Sequence, residues 1–196
     1  MEVKTTPLII GVPTPNGMGL MTSILALSGL HQALARPVAF VQGEGGNIPR
    51  ARNQVLQTIQ ANLGPKPVDI LWWDTDIRVT EDQIPAVADM VRYGETHQVC
   101  VTANYRMNTG ESHLMRGNRT PGAGVHYTAE ELAAMPDWFP VGMAGFGLLF
   151  IPQMPVTYVF HADAIGEDVH WWWDHPDLPV VLSQAVQIHH RKAVWL

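Results

Sequence analysis

Apolar residues follow two rhythms along the first half of the chain. Short unbroken runs at 8–12 (LIIGV), 37–42 (PVAFVQ), 69–73 (DILWW) and 98–103 (QVCVTA) have strand length and turn-forming neighbours. Between them lie stretches with apolar positions at helical spacing. One covers 18–35, a second starts near Arg50 and ends at Leu63 ahead of GPKP, and a third covers 84–94. The third is preceded by Thr80 as an N-cap and by Glu81 and Asp82, carboxylates suited to a first turn. Strand and helix in alternation predict a mostly parallel, Rossmann-like sheet flanked by helices, an α/β fold. Ligands in such sheets gather at the carboxyl ends of strands. PTPNG, GEGGN and DTD all fall at those ends.

The second half changes character. Residues 104–127 are rich in Gly, Asn, Arg and Thr and read as a long loop or a β-excursion. A short helix is expected at 128–135. The run VGMAGFGLLFIP, 141–152, predicts a strand that bends or passes close to a ligand at its glycines. Further strands are expected at 156–160 (VTYVF) and 180–190 (VVLSQAVQIHH). With no repeat, low-complexity tract or Ser/Gly linker, the 196 residues predict one domain.

Composition narrows the partners. Hydrophobic residues make up 46% of the chain and charged ones 15%, which describes a globular domain. A formal net charge of −6 argues against nucleic acid or an anionic membrane surface as partner. The one cysteine, Cys100, excludes an internal disulfide framework and fits a reducing compartment. The apolar stretch GMGLMTSILALSGL carries Thr22, Ser23 and Ser28 and has no basic lead, so it reads as a buried helix. Neither a signal peptide nor a membrane span is expected, and the location expected is the cytoplasm.

Four groups could carry chemistry. Asp74 and Asp76 are two apart, so in an extended backbone both project to one side, where a hard cation would relieve their repulsion. The plainer reading is a solvated turn. Gly166-Glu167-Asp168 suits a positioned general base, or simply a helix start with acids in its first turn. His189 and His190 end the last strand, and only one of them can face a given site. Arg50, Arg52 and Asn53 open the second helix, where free N–H groups and guanidinium groups could hold an anion. Trp171, Trp172 and Trp173 cannot all face one way, so at least one belongs in the core.

Taken in order along the chain, these features resemble glycosyltransferases of the GT-A fold, most of all the small single-domain members of phages and archaeal viruses. The resemblance rests on the strand ending in a Pro-rich turn, ARN opening the second helix, WxDxD, AGFGLLFI, GED and a late histidine. It spans residues 7 to 190. It implies a nucleotide-sugar-binding half at 1–103 and an acceptor or catalytic half at 104–196. It implies Mn²⁺ or Mg²⁺ held by Asp74, Asp76 and His190, with Asp74 also near the donor ribose. Pro13 and Thr14 would line the nucleoside pocket, and Arg52 would lie near the donor's phosphates or base. Gly145 and Gly147 would pass close to the donor sugar. Asp168 would be the base for an acceptor hydroxyl, with Glu167 beside it contacting sugar or base. The partners implied are a nucleotide-diphosphate sugar and a glycan or protein acceptor.

Two departures accompany the resemblance: HWWWDHP after GED is more aromatic than the family suggests, and no distinct acceptor domain follows. Two other functions stay open on the residues alone. A nucleotidyltransferase shares the sheet and carboxylates, but PTPNGMGL after the first strand lacks the lysine or arginine of a phosphate loop. A carbohydrate- or nucleotide-sugar-binding protein without turnover would be expected to have lost a carboxylate at DTD or GED, and both are intact.

Overall fold

A computed structural model of the chain describes residues 6–14, 23–105, 112–117, 119, 124–162 and 166–190. The expected helix start at 18–22 and most of 106–123 lie outside the described residues. A seven-stranded mixed sheet forms the centre. Its strands are β2 (Val38–Gly43), β1 (Leu8–Pro13), β3 (Val68–Trp73), β10 (Leu148–Met154), β5 (Cys100–Asn104), β11 (Val180–Gln187) and β8 (Trp138–Val141), in that spatial order. β2, β1 and β3 are parallel, β5 and β11 are parallel, and β10 runs against both of its neighbours. β8 closes the far edge antiparallel to β11. β6 (Leu114–Arg116), β7 (Val125–His126) and β9 (Met143–Ala144) form a small antiparallel sheet, while β4 (Ile77–Arg78) pairs with β12 (His189–His190).

The unbroken apolar runs arise because both sheet faces are covered, so each strand buries residues on both sides. Along β3, Ile70 and Trp72 enter one core and Leu71 and Trp73 the other, with the period of two that a strand imposes. The first core lies under α2 (Ile48–Leu63), whose Val55, Leu56 and Ile59 are buried, and takes in Trp171 and Trp172 of α5 (Glu167–Asp174). The second core is covered by α1 (Ser23–Leu34) and α3 (Ile84–His97). A capping box with Thr128 and Glu131 starts the short α4 (Ala129–Ala133). Among the described residues no helix is long and apolar enough to cross a membrane.

Several expected elements are corrected. Residues 156–160 form no strand: Tyr158 N–H closes a turn onto Pro155 O at 3.1 Å, and the Asn53 amide takes both backbone groups of Phe160. The run 141–152 is not one strand but β9 and β10, broken at Gly145–Gly147. The last strand also breaks, at Ile188, where the chain leaves β5 for β4. Trp138–Val141 is a strand although it contains Pro140, which a sheet edge tolerates because no ladder N–H is needed there. The second helix starts at Ile48 rather than near Arg50, because Asn47 caps it by accepting from Arg50 N–H at 3.0 Å and Pro49 occupies its first turn.

The α3 packing carries a stability test. A Cβ on Gly94 would lie 2.5 Å from Phe150 Cδ1 and 2.9 Å from the Val99 carbonyl oxygen. Gly94→Ala is therefore expected to destabilise the fold by about 1–3 kcal/mol despite the better helix propensity of alanine, read as a lowered urea midpoint.

Candidate functional site

Reversal of β10 is what assembles the site. A strand running against β3 and β5 begins where they end, so Gly145–Gly147 meets the turn that follows Trp73. Asp74 N–H donates to Gly147 O at 2.8 Å, and Ile77 N–H donates to Asp74 O at 3.0 Å. DTD is thus a tight turn rather than extended backbone, because the chain must reverse into β4. The expectation that Asp74 and Asp76 share a side through strand geometry fails for that reason. The two carboxylates are nonetheless close enough to repel one another.

Arg52 lies at the centre. The residue is 1% exposed, on the first turns of α2, and its guanidinium carbon lies 5.2, 5.0 and 6.0 Å from the ring centres of Trp72, Phe146 and Phe160. One terminal nitrogen donates to both Asp74 oxygens, at 2.9 and 3.3 Å, and Nε donates to Glu167 Oε1 at 3.3 Å. One guanidinium therefore joins the end of β3 to the start of α5. Arg50, by contrast, is exposed, and Asn53 spends its amide on Phe160.

Asp168 is the second residue of α5. Its Oδ1 accepts from Val169 N–H at 2.9 Å, and Oδ2 is the oxygen turned toward Gly145, 3.5 Å from where a Cβ there would lie. Gly166 caps the helix at φ +106°, a conformation that favours glycine. Among the described residues Asp74 thus feels the charges of Asp76, Glu167 and Asp168, with the Arg52 guanidinium opposing them. Burial pushes the Asp74 carboxyl up to about 7, against the pull of Arg52 and with repulsion from the other three acids adding to it. Burial, then Glu167, raises Asp168, with Arg52 again opposing.

The remaining sequence-derived candidates fall at the same end of the sheet. Pro13 ends β1 opposite Gly43, and Thr14 is fully buried, its hydroxyl donating to Gly43 O at 3.0 Å and accepting from Gln42 Nε2 at 2.9 Å. His190 pairs through its backbone with Ile77, the residue after Asp76. The His190 side chain lies outside the described residues. Among the described residues no group of three or more His, Cys, Asp or Glu side chains is arranged to hold a metal ion. Trp171 and Trp172 are core, the latter donating to Ala144 O at 2.6 Å, and Trp173 is half-buried.

The sequence reading passed over Tyr105, His113, Phe146 and Phe160. Tyr105 stacks on His113 with centroids 3.6 Å apart, and its hydroxyl accepts from Gly147 N–H at 2.9 Å. Burial, then Asp74, holds that hydroxyl well above the usual phenol range, with Asp168 adding and the Gly147 N–H opposing. The signal that could have found Tyr105 is the paired glycines of GFG, since two residues without side chains leave room for a ring against the backbone.

No family model matches the chain, and no curated protein matches it. Among solved structures, one titled "Crystal Structure of A197 from STIV" superposes with a TM-score of 0.57 at 13% identity. The match covers 95% of this chain and 86% of that one. At that identity the likeness shows the fold alone, an α/β domain built on a mixed sheet.

Acidification tests the charge balance of the pocket. The folded Asp74 pKa, about 7, exceeds the ordinary 3.8, so the native state binds more protons than the unfolded chain between those values. Metal-free protein is therefore expected to gain stability as pH falls from 8 toward 5, by at most about 1.4 kcal/mol per pH unit from this group. Asp74→Asn should flatten the profile of urea midpoints. Arg52→Met leaves Asp74 and Glu167 without their cation and should cost about 3 kcal/mol at pH 8, and less at pH 5.5 where protonation relieves the unpaired charge.

Proposed function

We propose that the protein is a metal-dependent glycosyltransferase of the GT-A type, moving a sugar from a nucleotide-diphosphate donor to an acceptor hydroxyl with inversion. The observation that carries the reading is the gathering of Asp76, Glu167, Asp168 and the caged Arg52 guanidinium about Asp74 at the carboxyl end of β3. Among the described residues these carboxylates raise the affinity of Asp74 and Asp168 for a proton, and a hard cation would meet the same demand for positive charge. Such ions commonly take only one or two protein carboxylates, the substrate phosphates completing the shell, so Asp74 and Asp76, with His190, suit the task.

A divalent cation there supplies charge compensation to the departing diphosphate. The chain's own residues do the rest. Asp168 is fixed by Val169 N–H on one oxygen and offers the other toward Gly145, where donor sugar and acceptor hydroxyl would meet. Its raised pKa makes it a better proton acceptor than an exposed aspartate. As the acceptor oxygen bonds to the anomeric carbon, the bond to the diphosphate breaks and the acceptor's proton passes to Asp168. A single displacement from one face inverts the configuration. Glu167, held by Arg52, faces the same pocket and would contact sugar or base. Pro13 and Thr14, at the end of β1, would line the nucleoside pocket.

The test is thermal stability with UDP, GDP, CMP and dTDP, each with and without Mn²⁺. One nucleotide is expected to raise the melting temperature only with metal, by the equivalent of about 2–3 kcal/mol at a hundred times Kd. Asp76→Ala should abolish the shift. Asp168→Asn should keep it while losing sugar transfer, read as release of nucleoside diphosphate in the presence of acceptor. Absence of a shift for every nucleotide in the wild type would overturn the reading.

A further inference from the structure

Behind the carboxylates lies a buried pair on which no sequence motif bears. His113 is 4% exposed, with Nδ1 within 2.7 Å of Tyr105 O and Nε2 within 3.2 Å of Thr102 Oγ1. Both ring nitrogens are therefore committed and the imidazole orientation is fixed. Tyr105, 6% exposed, stacks on that ring at an interplanar angle of 11°. Together they take both glycine amides of the GFG segment: Gly145 N–H donates to His113 O at 3.2 Å, and Gly147 N–H donates to the Tyr105 hydroxyl at 2.9 Å. The next bond in the chain is Asp74 N–H to Gly147 O at 2.8 Å.

We infer that Tyr105, seated on His113, is the positioning residue of the carboxylate site, setting the Gly145–Gly147 segment from which Asp74 and Phe146 take their places. The glycines are required by this contact. A Cβ on Gly145 would lie 2.8 Å from the Tyr105 oxygen, and one on Gly147 2.6 Å from both that oxygen and Cζ. The residue between them packs on the other core: Phe146 lies 5.0 Å from the Arg52 guanidinium carbon, measured to its ring centre. One phenol thus fixes the backbone hydrogen bond of the DTD turn on one side and a wall of the arginine cage on the other. Tyr105 acts through these groups and does not itself touch a substrate. Its consequence for donor binding rests on the transferase reading; its structural part does not.

Tyr105→Phe removes only the oxygen and leaves Gly147 N–H without its acceptor. Hydrogen exchange needs no ligand and decides the structural part. Amides of Gly147 and Asp74 are expected to exchange about tenfold faster than in the wild type, equivalent to about 1.4 kcal/mol of easier local opening. Leu132→Ala, a core truncation on α4, serves as a control for general destabilisation and should leave these two amides protected. Unchanged protection at Asp74 in Tyr105→Phe, or equal loss in the control, would overturn the inference. The second arm is Mn²⁺ with the nucleoside diphosphate that shifts the wild type. A smaller shift in Tyr105→Phe but not in Leu132→Ala is expected, and an undiminished shift would overturn the positioning role. Absence of any shift in the wild type tells against the transferase reading alone, and the exchange rates then decide.

Discussion

The contact between Arg52 and its two carboxylates is the constraint around which this end of the molecule is organised. The guanidinium of a fully buried arginine has given up its hydration and must recover it from partners. Three aromatic rings flank it, and Asp74 and Glu167 satisfy two of its edges. Lysine could not substitute, because a point charge cannot serve two carboxylates from a fixed plane while lying among rings. The same contact explains why α5 begins where it does: Glu167 is drawn inward, and its neighbour Asp168 is presented to the pocket with one oxygen already spent on the helix.

The second constraint is directional. Loops at the carboxyl ends of parallel strands come only from strands running one way, yet here a strand running the other way delivers its first residues to the same place. Gly145–Gly147 can lie directly across from Asp74 because β10 begins there. At the opposite end of the sheet a different polar group closes the structure. Arg36 reaches Asp69, Glu95 and the Thr6 carbonyl, and Asp69 takes both the backbone and side-chain nitrogens of Gln153. Each end of β3 is thus anchored by an arginine and an aspartate, one pair structural and the other shared with the candidate site.

Much of this was legible in the sequence, for physical reasons that also mark where legibility ended. DTD and GED stand out because carboxylates interrupt apolar runs, and the structure brings both motifs into one pocket. The alternation of strand and helix gave the α/β class, but an apolar run carries no sign of its direction, so the reversal of β10 was hidden. VTYVF has β-favouring residues, and local turn closure at Pro155 with the Asn53 amide overrode them. WFPV carries a proline, which argues against a central strand, and only the tertiary order makes it an edge. Arg52 was visible as a phosphate-binding type. Its partners were not, since Glu167 lies 115 positions away. His113 has no signature, and that of Tyr105 lies only in its partners, the glycines of GFG, because the role of both is defined by what they support.

The sign of the pocket has a kinetic consequence. Among the described residues Asp74 has three other carboxylates and one guanidinium around it, and on the transferase reading a polyanionic donor approaching them would meet repulsion before it met any contact. A small cation meets attraction. On the transferase reading occupancy would then be ordered: the ion would enter first or travel in already bound to the phosphates, and the site that repels the free anion would capture the complex.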